Sequence, residues 1–200
     1  MSARRQRSRR KDDDEAQLRR DHLRREVVDI ARTAVATLTA LLHETGTVPP
    51  GLWRDPYALG FVYCLIGGLA LHAGAEEEEL ADLMRDSFLA LAAETNEGED
   101  GLDLLNRAVE LIVAEDDDFL DGLHAGDKVT ALALGYEDYD DDDDVIEARR
   151  RAADVTHLMS DWQQPGEGEI MSNDEAAILY LQQRLFCTEL RRRLPTQRIH

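Results

Sequence analysis

From Leu23 onward the apolar positions step by three and four: Val27, Ala31, Ala34, Leu38 and Leu41, with Val28, Val35 and Leu42 beside them. That periodicity predicts a helix with a wide apolar face. Upstream, Asp12 to His22 carries helix formers and acidic residues but no stripe to bury. It reads as a solvated or frayed extension, and Met1 to Lys11 reads as disordered. Glu44 to Arg54 contains Gly46, Pro49, Pro50 and Gly51, which is loop chemistry. Asp55 then offers an N-cap oxygen and Pro56 takes the first helical position, where a missing N–H costs nothing. A helix is therefore expected over 56–75, PYALGFVYCLIGGLALHAGA, a run without one charge.

Amphipathic helices and acidic turns follow. Over 76–94, Leu80, Met84, Phe88 and Leu91 share one side, and the glutamates sit at the N-terminal end, where the macrodipole favours them. Leu102, Leu105, Val109 and Ile112 predict a shorter helix after the break at Asn96-Glu97-Gly98. In 119–135, Gly122 and Gly126 are read as cutting the segment into a turn and a helix carrying Val129, Leu132 and Ala133. Asp138 to Asp144 reads as a solvated loop. Val145, Ala148, Ala152, Val155, Met159 and Trp162 alternate steps of three and four, the seam of a helix packed on partners. The last helix opens on the capping box Ser172-Asn173-Asp174-Glu175, carries Ile178, Leu181, Leu185, Phe186 and Leu190, and ends in Arg191-Arg192-Arg193 before Pro195.

No stretch alternates with period two, so the fold class is all-α. The expected architecture is a single-domain bundle of about six to seven helices over 18–195, built around the apolar helix 56–75. A disordered basic and acidic arm over 1–17 precedes it. Within 56–75, Gly60, Gly67 and Gly74 recur every seven residues, with Cys64 and Gly68 near the same side. Helical glycine costs about 1 kcal/mol against alanine, so the repeat predicts a face that another backbone approaches closely. The run has the length of a membrane span, about 20 residues. His72 inside it, Glu76 to Glu79 directly after it and the lack of a companion span favour a buried central helix instead.

Charge adds a second theme to that picture. The chain of 200 residues has a formal net charge of −19, unevenly spread. Residues 1–25 hold ten Lys/Arg and five Asp/Glu, for +5, and the other 175 hold thirteen and thirty-seven, for −24. The body is a polyanion with a cationic arm, which keeps it soluble, repels nucleic acid from most of its surface and favours basic partners. Cys64 and Cys187 lie within helical patterns and read as reduced core residues. The N-terminal arginines lack a following apolar region, which argues against an export signal, and the expected location is cytoplasmic.

Candidate chemistry is sparse. Asp154, His157 and Asp161 have metal-ligand spacing, but the seam of their helix places them on its exposed face. Asp121-x-x-His124 has similar spacing, with Gly122 and Gly126 making its helical geometry doubtful. Asp140, Asp142 and Asp144 start like a calcium loop, which fails where Val145 replaces the turning glycine and Arg151 the bidentate glutamate. Glu76 to Glu79 with Asp82 loosely resembles the acidic helices with which all-α nucleotide pyrophosphatases hold magnesium. The second acidic helix is missing, since Glu97-x-x-Asp100 falls in a glycine-containing turn. His72 shares a face with Phe61, Leu65 and Gly68 and is expected to be buried, in need of a partner. His72, Glu76, Glu79 and Asp82 are thus the functional candidates, and no catalytic, cofactor or metal residue is assigned.

No phosphate loop, nucleophile signature or Cys-x-x-Cys pair occurs. The expected function is a non-enzymatic cytoplasmic interaction protein, an adaptor, regulator or chaperone-like partner, binding another protein, with a basic one favoured. No cofactor and no membrane are expected. One alternative is a metal-dependent hydrolase of a nucleotide or phosphoester around His72, Glu76, Glu79 and Asp82. Another is a nucleic-acid-related role, through binding by the arm or through mimicry of DNA by the acidic body.

Overall fold

In the computed structural model the backbone is described for residues 2–44, 48–49, 51–95, 100–160 and 172–194, and side chains for 17–44, 48–49, 51–93, 100–154 and 172–194. The elements are α1 (Ser2–Glu44), a 3₁₀ turn (Leu52–Arg54), α2 (Pro56–His72), α3 (Glu77–Thr95), α4 (Gly101–Val113), α5 (Asp117–Leu134), α6 (Asp143–Ser160) and α7 (Asn173–Leu181). A π-helical stretch (Gln182–Thr188) and α8 (Glu189–Arg193) continue α7 without a break. Among the described residues there is no strand, so the fold is an all-α bundle. The expected arm, 1–17, falls on the start of α1, where only Gln17 and onward have described side chains.

One apolar core draws on every helix, and α2 is its axis, with Tyr57, Ala58, Leu59, Phe61, Val62, Leu65 and Ile66 all buried. The local signals explain where α2 starts and stops. Asp55 accepts the Ala58 amide at 3.1 Å, Pro56 opens the helix, and Gly74, at φ 92°, turns the chain out of it. Val27, Ala31, Val35, Leu38 and Leu42 of α1, Met84, Phe88 and Leu91 of α3, Val145, Ala148 and Ala152 of α6, and Leu181, Phe186 and Leu190 of the last helix are buried as their spacing requires. Val155, Met159 and Trp162 lie outside the described side chains.

The closest packing is between α2 and α5, and it corrects two expectations. First, α5 is one continuous helix from Asp117 to Leu134. Gly122 and Gly126 do not break it; they face α2. A Cβ on Gly122 would stand 2.1 Å from the Tyr57 carbonyl oxygen, and one on Gly126 2.5 Å from that of Phe61. Second, the contact face of α2 is not the heptad Gly60, Gly67 and Gly74. Gly60 would meet the Phe119 carbonyl at 2.2 Å and Gly68 the Thr130 methyl at 2.5 Å, while Gly67 has only Met84 Sδ at 3.9 Å. Gly60, Cys64 and Gly68 on α2 thus oppose Gly122, Gly126 and Thr130 on α5, both sets spaced by four, so that two parallel backbones touch. The Thr130 hydroxyl, buried in this contact, donates to the Gly126 carbonyl at 2.8 Å.

The π-helical stretch has no counterpart in the sequence reading. The Tyr57 hydroxyl, from α2, donates to the Leu185 carbonyl at 2.5 Å, and the Phe61 and Phe186 rings meet at 4.8 Å. The Arg193 guanidinium lies 4.7 Å from the Tyr57 ring centroid. The wide turn is therefore held against α2 at its middle, through Leu185 and Phe186, and again just beyond it, through Arg193.

Candidate functional site

His72 sits in the last turn of α2 and is exposed, not buried. The reason is geometric: Leu23, Val27 and Leu83 cover the Ala70 side of this turn, while the close contact with α5 ends at Gly68 and Thr130, which leaves the His72 side open. Tyr136, in the turn after α5, reaches the ring, with its hydroxyl 3.5 Å from Nδ1. Glu76 and Glu79 both receive the Arg19 guanidinium of α1, at 3.3 and 3.4 Å. Glu79 also accepts the Glu76 amide at 3.2 Å and so caps the first turn of α3. Asp82 pairs with Arg85 one turn on, at 2.9 Å.

Glu79 and Asp82 line a cleft of about 410 Å³ between α1 and α3, together with Arg20, Arg24 and Arg85. His72 does not line it. Arg24 binds Asp86 at 2.5 Å across the same cleft. These carboxylates face guanidinium groups and not one another, which suits the docking of α1 onto α3 better than the convergent carboxylates a magnesium site needs.

The other acidic motifs resolve in the same way. Asp142 and Asp144 receive the Lys128 ammonium at 2.7 and 3.2 Å, and Asp144 also receives Arg184 at 2.8 Å. Asp142 further accepts the amides of Asp144 and Val145, which starts α6, and Asp140 pairs with Arg149 at 2.6 Å. The aspartate-rich loop is thus folded around one buried lysine and is not simply solvated. Partial burial pushes the Asp142 carboxyl up, but Lys128 and those two amides outweigh it and hold it below its ordinary value. Asp121 stands 3.8 Å from Arg193, and the His124 ring packs edge-on against Tyr139. Asp154 is exposed, while His157 and Asp161 lie outside the described side chains. Among the described residues, no three His, Cys, Asp or Glu groups are placed to share a metal ion.

Both cysteines are unoxidised thiols. Burial pushes Cys64 up to about 12, helped by Asp127 beside it, and Cys187 up to about 11. Neither is ionised near neutral pH, as a nucleophile would require.

The feature that sequence periodicity misassigned is α4. Leu102 and Val109, expected to point inward, are exposed at 41% and 47%, and Val113 reaches 79%. Gly101, Leu104 and Ala108 are the residues that pack, with Leu105, Leu111 and Ile112 half-buried. At 100° per residue the apolar positions of α4 span more than half its circumference, and α3, α2 and α5 cover only part of that arc. Leu102, Val109 and Val113 form the uncovered edge, a straight stripe about 16 Å long. Leu89 of α3, exposed at 41%, lies beside its N-terminal end, because Gly101 packs on the Leu89 backbone. Asp103 and Glu110 border the stripe on the solvent side.

No protein-family model, curated protein or solved structure matches the chain at a significant level. The surface itself therefore has to carry the functional argument. From 100 to 118 the sequence has seven carboxylates and one arginine. Asp100 and Asp116 cap helices and Asp118 pairs with Arg193. Asp103 and Glu110 form no ion pair among the described residues. Among the described residues, no helix is long and apolar enough to cross a membrane.

Proposed function

We propose that this protein works by binding another protein, as an adaptor, regulator or chaperone-like partner, and that it catalyses no reaction of its own. The observation that carries this reading is the partly uncovered apolar edge of α4, where Leu102, Val109 and Val113 stand exposed along one side of the helix with Asn106 between Leu102 and Val109. Single exposed apolar residues are ordinary, but a leucine and two valines along one side of one helix suit a helical contact face. The acidic candidates support the same reading, because Glu76, Glu79 and Asp82 are matched to Arg19 and Arg85 of the protein itself.

Co-purification of the tagged full chain at low and at high salt tests this. Retention of the same defined protein at both salts is expected, since the contact includes apolar area that salt does not screen. Failure to retain any protein at either salt overturns the proposal.

A further inference from the structure

We infer that the α4 edge is the docking site for an amphipathic helix of about three turns whose flanks are basic, an inference that rests on the interaction reading above. The occupant's shape follows from the stripe. Leu102, Val109 and Val113 lie within about 40° of one another around α4 and span about 16 Å, with exposed Asn106 interrupting the line between Leu102 and Val109. A partner helix laid along it places apolar side chains at i, i+3 or i+4, and i+7, and a helix of about 11 residues spans it.

The occupant's charge follows from the border. Asp103 and Glu110 lie on the solvent side of the stripe, nearer to it than the exposed Arg107 and without ion-pair partners among the described residues, on a body of formal charge −24. Lysine or arginine on the flank of the incoming helix would meet them, and the field would speed its approach. The same charge argues against a second copy of this chain, which would lay Asp103 and Glu110 of one copy beside acidic groups of the other.

The probe is a labelled, end-capped synthetic helix of about 14 residues with leucine on one face and lysine elsewhere, titrated with the full chain by fluorescence anisotropy. A scrambled peptide of the same composition and a version with glutamate for lysine serve as references. Val109→Glu is expected to weaken binding at least about tenfold, because it places a charge at the centre of the contact. Glu110→Lys should weaken the lysine peptide and improve the glutamate peptide. Ile146→Glu, at an exposed position on α6 (49%), should leave affinity within about twofold of the parent.

Equal binding by Val109→Glu, an equal loss in Ile146→Glu, or equal affinity for the scrambled or glutamate peptides overturns the inference. So does a dimer in sedimentation that Val109→Glu dissociates, since the occupant is then a second copy. A protein that co-purifies equally well with Val109→Glu overturns the docking face and leaves the interaction reading standing. The lack of any co-purifying protein overturns that reading instead.

Discussion

Replacing Gly60 and Gly67 by alanine, one at a time, should move stability in opposite directions although the two glycines belong to the same helix. Alanine at either site gains about 1 kcal/mol of helix propensity. At Gly67 the added methyl meets only Met84 Sδ at 3.9 Å, an ordinary contact, so the gain survives. At Gly60 it lands 2.2 Å from the Phe119 carbonyl oxygen and 3.0 Å from the Leu123 amide nitrogen. These are backbone atoms of α5, which no rotamer change can move aside, so α2 and α5 must part by about 1 Å along their tightest line. Overpacking of that kind costs about 3 kcal/mol, the upper end of the usual range, for a net loss of about 2 kcal/mol. For a chain of this size, 1 kcal/mol shifts Tm by about 2–4 °C. Gly67→Ala is therefore expected to melt about 2–4 °C higher than the parent and Gly60→Ala about 4–8 °C lower, followed by circular dichroism at 222 nm. Gly60→Ala combined with Gly122→Ala should cost less than the sum of the two, since helices already parted admit the second methyl. Shifts of the same sign at Gly60 and Gly67 would refute the contact geometry of the seam.

Two further perturbations test the polar contacts. Lys128 with Asp142 should make stability fall in acid: the folded carboxyl titrates below its unfolded value, so its contribution is complete above about pH 4 and is lost as pH drops through the folded value. Urea melts from pH 5 to pH 3 should show that loss, and Lys128→Met, about 1–3 kcal/mol less stable near neutrality, should show a shallower one; equal slopes would dismiss the pair. Tyr57→Phe removes the donor to the Leu185 carbonyl and keeps the ring under Arg193, so about 1 kcal/mol, or about 2–4 °C in Tm, should be lost; no change would mean that the π-helical stretch does not need this tether.

What the sequence disclosed was local. Asp55 with Pro56, and Ser172 with Glu175, act within four residues, and both caps form as their chemistry dictates. The stripes of α1, α3, α6 and the last helix were readable because their neighbours bury or half-bury every member of each stripe whose side chain is described. Reading failed wherever the outcome depended on a distant partner. Gly122 and Gly126 have the signature of a helix break, and only the matching small residues at Gly60, Cys64 and Gly68 turn them into a contact. The signal was present as equal spacing by four in both segments, but pairing two segments 60 residues apart requires the fold. His72 was misjudged for a related reason: its face is apolar along α2, yet the close contact with α5 ends one turn earlier, at Gly68 and Thr130. On α4 the error ran the other way, since an apolar arc wider than any one neighbour can cover was taken as wholly inward. The width of that arc was the overlooked clue to the exposed edge.

The carboxylates differ in their surroundings, and that difference bears on how so acidic a chain can fold. Those between helices are matched to cations: Asp142 and Asp144 to Lys128 and Arg184, Asp86 to Arg24, Glu79 to Arg19 and Asp118 to Arg193. Such pairs act over a few ångströms, add little net field, and fix which helix meets which. Asp103 and Glu110 beside the α4 stripe have no such match among the described residues, so their field reaches outward to about the Debye length, near 10 Å at 0.1 M salt. Added salt should therefore act far more on association at α4 than on the ion pairs that hold the bundle.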